Sequence, residues 1–266
     1  MMTRNRTEEL KLVFSLREAA ESKEVMFGED NVKFQGRISS IDNLDALRAL
    51  IGTMRALDVS TIFKEGGNKI SSDSILKKIE KIVTWVRLET DDISLQFGVV
   101  SSHEHCFITV QEKTSGAADN WEILVKPFLS LSGFVQAWVS DVEYNFWQNA
   151  KDPAEYEISG RDCSRLPMKS NGLPPPVQRM EIDISGNPGR WMLRSGYVEA
   201  VGAVMWLGEA FWARVGPQNK IGVKSTEWLR TSEPETGVLR VQVSEHCFID
   251  DDTESAQERL RALLYS

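Results

Sequence analysis

Two copies of one pentapeptide hold most of the side chains in this sequence that could do chemistry. The motif Glu-His-Cys-Phe-Ile spans residues 104–108 and residues 245–249; with His103, the two copies account for all three histidines and two of the three cysteines. Zinc prefers imidazole and thiolate ligands, so a zinc site is the sharpest hypothesis for these residues. The two identical pentapeptides are also consistent with a duplication that gave the chain two similar halves, although no other segments of the two halves can be aligned.

The spacing within each copy argues against a metal. Neighbouring residues of a strand face opposite sides of the sheet, so His105 and Cys106 cannot both reach one ion without a bend. The two-residue spacing between cysteines that is typical of zinc sites is missing. A nucleophilic Cys–His pair would need a third group to orient the histidine, and none is identifiable. We therefore expect the cysteines to pack at strand ends, with histidine and glutamate at the rim.

Other catalytic signatures are missing from the sequence. It contains no G-x-S-x-G, H-E-x-x-H or G-x-G-x-x-G motif, and residues 216–225 match a phosphate-binding loop too loosely to be more than a surface loop. The sequence thus predicts no catalytic residue, no cofactor and no metal. A small enzyme, a hydrolase or a metal-dependent one, that uses the His, Cys and Glu residues remains the alternative. A structural or adaptor protein of a secretion apparatus is a third hypothesis.

The elements that would position these residues are read from hydrophobic periodicity and capping signals. Strands are predicted at residues 10–16, 32–38, 93–100, 106–111, 121–125, 180–184 and 238–243. Helices are predicted at residues 44–57, 75–88, 131–148, 197–207 and 255–264. Because the two types do not alternate steadily, the fold class is α+β, with a mixed or antiparallel sheet packed with helices. We predict one domain over residues 1–266, or two lobes, 1–150 and 178–266, joined by a long loop at 151–177.

Residues 197–207 form the most apolar run of the chain. Only Glu199 and Gly202 interrupt it, so we predict a helix that is buried on most sides. Glu199 is then expected to be hydrogen-bonded or to lie at the helix edge.

Composition limits the function classes. The 266 residues carry 31 basic and 39 acidic side chains, a net charge of -8, which argues against nucleic-acid binding as the main task. Three cysteines are few and odd in number, as in a reducing compartment. No signal peptide and no apolar run of membrane-spanning length is recognisable. We therefore expect a soluble, cytoplasmic protein that does not bind a membrane.

Most of the sequence resembles bacterial immunity proteins of polymorphic-toxin and type VI secretion systems. The segments that carry the resemblance are residues 134–153, 173–185, 180–216 and 238–266. The nearest group is the immunity protein 52 family. The resemblance implies a cytoplasmic antidote that binds one cognate toxin, often a nuclease, and has no catalytic activity of its own.

An acidic inhibitor suits such a toxin, because nucleases tend to be basic near the nucleic-acid groove. Aromatic side chains dominate interface cores and charges guide encounter, so we look for both together. They meet where an aromatic-rich helix runs into the long loop, and a second acidic run precedes the last helix. The predicted toxin-binding residues are Trp147, Asp152, Glu155, Tyr156 and Glu157, with Asp250, Asp251 and Asp252 as the second choice.

Overall fold

A large antiparallel sheet forms the centre of the computed structural model, which describes residues 6–27, 30–81, 84–118, 120–249 and 253–266. Its strands, in chain order, are β1 (Glu8–Phe27), β2 (Asp30–Ser39), β3 (Phe63–Glu65), β4 (Asn68–Ile70), β5 (Trp85–Glu89), β6 (Ile93–Val100), β7 (His105–Glu112), β8 (Phe134–Asp141), β13 (Val204–Leu207), β14 (Arg230–Glu235) and β15 (Val238–Gln242). Two further pairs form separate two-stranded sheets: β9 (Met168–Ser170) with β10 (Met180–Ile182), and β11 (Met192–Arg194) with β12 (Tyr197–Glu199).

The strands of the large sheet lie in the order β14-β15-β13-β8-β1-β7-β6-β5-β3-β4. The second half of β1 leaves this order and pairs with β2 instead, from Leu16 opposite Ser39 to Phe27 opposite Asp30. The first half of β1 lies between β7 and β8. Strands of residues 1–150 and of residues 178–266 join in this one sheet, because β8 pairs with β13.

Helices pack on the sheet, and the α+β prediction is confirmed. They are α1 (Asn43–Ala56), α2 (Ser72–Ile79), α3 (Trp121–Leu129), α4 (Val142–Asn149), α5 (Pro153–Ile158), α6 (Glu209–Val215), α7 (Pro217–Lys224) and α8 (Glu254–Tyr265). Capping determines where some begin: the Asp42 carboxylate accepts hydrogen bonds from the N–H groups of Leu44 and Asp45, at 2.8 and 3.1 Å. In the described part of the chain, no helix combines the length and apolar character needed to cross a membrane.

Two apolar cores lie on opposite faces of the sheet. In the first core, α1, α2 and α3 pack on one face through side chains such as Leu47, Ile75 and Phe128. In the second core, α6, α7 and α8 pack on the other face, where Phe211 and Leu260 are fully buried. Full burial of a side chain of this size contributes about 1.5–3 kcal/mol, so both faces stabilise the sheet.

The apolar run at residues 197–207 is not a helix, so that prediction was wrong. It forms β12 and β13, and β13 lies between β8 and β15 in the middle of the sheet. Trp206 belongs to the first core and Met205 to the second, so both faces of β13 are buried. A strand that is buried on both faces has apolar residues at successive positions, without the alternation of apolar and polar residues, so its sequence resembles that of a buried helix. Gly202 is needed because a Cβ there would lie 2.7 Å from the Val139 carbonyl oxygen.

The predicted helix at residues 131–148 was wrong for the same reason. Its first part is β8, which is buried on both faces, and only its second part is helical, as α4. The strand predicted at residues 121–125 is instead the start of α3, which Asn120 caps by accepting a hydrogen bond from the Ile123 N–H. In a short apolar run, periodicity alone does not distinguish a helix from a strand.

Segments predicted as loops contain regular structure. Residues 151–177 include α5 and β9, and residues 216–225 contain all of α7. The predicted helix at residues 75–88 ends earlier, as α2, and is followed by β5. The other predicted elements are confirmed, with ends that differ by at most two residues, except that β1 continues to Phe27. They are the strands at 10–16, 32–38, 93–100, 106–111, 180–184 and 238–243 and the helices at 44–57 and 255–264.

Candidate binding cleft

A concave surface lies over β1, β7 and β6, on the face of the sheet that carries the second core. Strand alternation places Lys11 and Val13 on this face, whereas Leu10, Leu12 and Phe14 enter the first core. We call this surface the cleft, and it consists of an apolar and a polar chamber.

Strand register arranges the floor of the cleft in rows. Lys11 is opposite Thr109, which is opposite Gln96 on the next strand. One row along, Val13 is opposite Phe107, which lies opposite Gly98. Side chains in such rows are direct neighbours across the sheet. A Cβ at Gly98 would meet the Phe107 ring at 2.6 Å, so the glycine lets this ring lie across β6.

The hairpin of β11 and β12 forms the wall of the apolar chamber. The fully buried Gln136 side chain holds it to β8: its Nε2 donates to the Val198 carbonyl at 2.9 Å, and its Oε1 accepts from the Val198 N–H at 3.2 Å. At the tip, the Gly196 N–H donates to the His103 carbonyl at 2.7 Å, and Ser195 donates to Glu104. The wall is therefore fixed at both ends.

The apolar chamber has a volume of about 290 Å³. Its surface is mostly apolar and aromatic, with Phe107, Trp138 and Trp191 among the lining residues. His105 also lines it, and its Nδ1 donates to the His103 carbonyl at 3.0 Å. Burial lowers the pKa of His105 below the ordinary 6.5, so the ring is neutral at pH 7.

The polar chamber, of about 330 Å³, shares Lys11 and Trp191 with the apolar one. The Glu9 carboxylate in it is nearly buried and accepts hydrogen bonds from Asn145 at 2.6 Å and Ser140 at 3.3 Å. Lys11 pairs with Glu9 at 3.1 Å and lies 5.5 Å from the centre of the Trp191 ring.

Glu155 is the second carboxylate of the polar chamber. It is half-exposed, and no lysine or arginine among the described residues forms an ion pair with it. The charge of Glu9 is thus balanced by Lys11, whereas the charge of Glu155 is available to an incoming group.

Helices α4 and α5 form the outer rim of the polar chamber, and we call this rim the aromatic corner. The Trp147 ring packs edge-on against Phe146 and Tyr156, at centroid distances of 4.9 and 4.8 Å. The Arg161 guanidinium lies 4.1 Å above the Trp147 ring. Phe146 is 46% exposed, so it is the aromatic side chain that the corner presents to solvent.

The predicted toxin-binding residues of this region therefore have different roles. Tyr156 is only 7% exposed and supports Trp147 from below. Asp152 caps α5 by accepting from the Ala154 N–H at 3.1 Å, and it pairs with Arg179 at 3.2 Å. Glu155 and Glu157 are accessible on α5.

The second predicted acidic run, Asp250, Asp251 and Asp252, lies outside the described residues. The cleft itself was missed from the sequence. Its signal was the alternation of β1 and β7, in which charged, polar and apolar residues at the cleft positions alternate with the apolar residues of the first core.

The two pentapeptides occupy different environments. In the first copy, His105 lines the cleft and Cys106 enters the first core, as expected for neighbours on a strand. The second copy follows β15 without strand structure; His246 is exposed there and Cys247 is buried. The expectation of matching strand ends was wrong for this copy. Burial raises the pKa of Cys106 to about 11 and raises that of Cys247 as well.

Within the described ranges, no group of three or more His, Cys, Asp or Glu side chains is placed to hold a metal ion. The arrangement is one of recognition surfaces: an apolar chamber, a polar chamber with one unbalanced carboxylate, and an aromatic corner beside them. Comparisons of the chain with protein-family models, with curated proteins and with solved structures give no match.

Proposed function

We propose that the chain is an immunity protein, which neutralises a cognate secreted toxin by forming a stoichiometric complex with it. The observation that carries the proposal is the junction of the open cleft with the aromatic corner, where Phe146 and Glu155 line the polar chamber. Exposed aromatic and unbalanced acidic groups side by side are typical of protein-binding surfaces. The resemblance to immunity proteins supports the same function, and the cytoplasm is the compartment where such an antidote acts.

The charge of the aromatic corner favours a basic partner. Residues 141–162 contain six acidic and two basic side chains. Asp141 is buried and pairs with Arg6 at 3.3 Å. The five acidic residues that are at least partly exposed are Glu143, Asp152, Glu155, Glu157 and Asp162. An acidic surface raises the association rate with a basic protein, and a nuclease-type type VI effector would present such a surface.

The cysteines give little support to the enzyme alternative. A thiol must ionise to act as a nucleophile, and burial opposes ionisation of both Cys106 and Cys247. His105 and Cys106 also face opposite sides of β7, so the histidine cannot serve as base for its neighbour.

The test is co-expression of this protein with the product of the adjacent toxin gene in cells that the toxin kills. We expect growth to be restored, and the purified pair to form a one-to-one complex by calorimetry. Absence of both protection and binding would refute the proposal. Protection at far less than one copy per toxin molecule would instead favour an enzyme that modifies the toxin or its product.

A further inference from the structure

We propose that the cleft holds an extended segment of the toxin, in which a large apolar side chain fills the apolar chamber and a nearby lysine or arginine enters the polar chamber. This inference rests on the proposed function and specifies how the partner is recognised. It is carried by the chemistry of the two chambers and by their shared boundary at Lys11 and Trp191.

The apolar chamber favours an apolar group because most of its accessible surface is apolar. Lys11 is paired with Glu9, and the Nδ1 of His105 is bonded to a backbone carbonyl. What remains accessible is mainly the aromatic surface of Phe107 and Trp191. A polar group placed against this aromatic surface would lose its water without gaining a hydrogen bond from it, whereas an apolar group leaves water favourably.

The polar chamber selects a positive charge. A cation placed there meets the unbalanced carboxylate of Glu155. Lys11 and Glu9 neutralise each other, so the charged lining residues carry a net charge of -1, and a carboxylate in the same position would be repelled by Glu155. Charge complementarity therefore favours a lysine or arginine, rather than an acidic residue, near the apolar residue of the toxin segment.

A segment of a folded partner fits better than a free small molecule, because the polar chamber opens on the aromatic corner. The exposed Phe146 lines that chamber, and Glu143 lies on the same helix with a side chain 48% exposed. A domain seated on this corner would extend its segment directly into the cleft. The accessible carboxylates of Glu155 and Glu157 on α5 would attract a basic domain to the same place.

The experiment compares two cleft variants with two matched controls in binding to the toxin. Gln96→Trp obstructs the apolar chamber, and Thr231→Trp places the same side chain on the exposed edge strand β14. Glu155→Lys reverses the charge in the polar chamber, and Glu258→Lys makes the same change at an exposed position of α8, which does not line the cleft. Circular dichroism and thermal melting establish that all four variants are folded.

We expect each cleft variant to weaken binding by about tenfold or more, mainly through faster dissociation, as is usual for lost interface contacts. Each control should stay within about threefold of the wild type in dissociation rate, while both lysine variants slow association at low salt. Overlapping peptides that cover the toxin serve as a second probe. The binding peptide should contain a large apolar residue near a lysine or arginine, and changing that basic residue to glutamate should abolish binding.

The outcomes separate this inference from the proposed function. If the wild-type protein binds and protects but both cleft variants bind like their controls, the cleft is not the docking site and the immunity function stands. A binding peptide without a basic residue would likewise overturn the assignment of the polar chamber. If the wild-type protein neither binds nor protects, the function and this inference fail together.

Discussion

Two buried tryptophans on neighbouring elements differ in one hydrogen bond, which allows a quantitative test of the packing. Trp212 on α6 donates its indole N–H to the Leu207 carbonyl at 3.2 Å. Trp206 on β13 is fully buried, and its indole N–H has no partner among the described residues. Replacing either residue with phenylalanine leaves an empty space of roughly 40 Å³, which costs about 1 kcal/mol.

The two substitutions should then diverge. Trp212→Phe also loses a hydrogen bond with a net value of about 0.5–1.5 kcal/mol, so its total cost is about 2 kcal/mol. Trp206→Phe removes an unsatisfied buried donor whose burial costs about 1–3 kcal/mol, so we expect no net loss of stability or a gain. The predicted difference between the variants is about 2 kcal/mol or more.

Urea unfolding at 25 °C, followed by far-ultraviolet circular dichroism, measures both free energies, provided that the dependence on urea concentration is the same in each variant. Trp206→Ala is the packing control and should cost about 3–5 kcal/mol. Equal costs for the two phenylalanine variants, or a larger cost for Trp206→Phe, would show that the Trp206 indole is hydrogen-bonded or solvated.

Three further predictions concern the pentapeptide histidines and the ion pairs around α8. Because the folded chain keeps His105 neutral, the unfolded chain takes up the proton first, so the free energy of unfolding should fall as the pH drops below about 6.5. Urea titrations at pH 7.5 and 5.5 should show a smaller fall for His105→Gln, whereas the exposed His246→Gln should behave like the wild type. Protein purified without added metal should contain well under one equivalent of zinc by elemental analysis; stoichiometric zinc that disappears in the double alanine variant of these histidines would contradict this. Arg261→Gln should cost about 1.5–3 kcal/mol in the same unfolding assay, because it removes the guanidinium 3.3 Å from the nearly buried Glu199 and leaves Arg194 as the remaining partner; an unchanged free energy of unfolding would show that Arg194 alone satisfies Glu199.

The parts of the fold that could be predicted are those with one buried face. In α1 and α8, caps or acidic first turns precede an amphipathic pattern, and in β15 alternate residues are buried. In such elements the pattern of apolar and polar residues shows which face is buried. The two largest helix–strand errors fall on β8 and β13, neighbouring strands inside the sheet whose two faces are both covered. Their burial depends on helices that are distant in sequence, so no local pattern could reveal it.

The expectation for Glu199 was confirmed even though its helix was wrong. The carboxylate accepts two hydrogen bonds from Arg194, at 2.9 and 2.7 Å, and one from Arg261 at 3.3 Å. A charged group in an apolar run must be paired wherever the run is buried, in a strand as much as in a helix. The physical requirement could be predicted from composition, whereas the identity of the partners required the fold.

The candidate site shows the same division between what is local and what is not. The aromatic and acidic character of residues 146–157 is visible in the sequence, but which of them reach solvent is decided by packing. Tyr156 is buried against Ile182 and Ile184 from a later segment, and this leaves Phe146 rather than Tyr156 as the accessible ring. Glu155 gains its importance from Glu9 and Trp191, which lie far away in the sequence and close in the fold.

The position of the cleft follows from how the second core covers the sheet. Helices α6, α7 and α8 pack over β8, β13 and β15, and the β11–β12 hairpin extends this cover only as far as its contacts with β8 and the start of β7. Beyond the hairpin, the same face of β1, β7 and β6 carries a mixture of apolar and polar side chains. This mixed, partly covered surface is what the proposed docking of an extended segment requires, because it offers aromatic side chains to an apolar group and a carboxylate to a basic one.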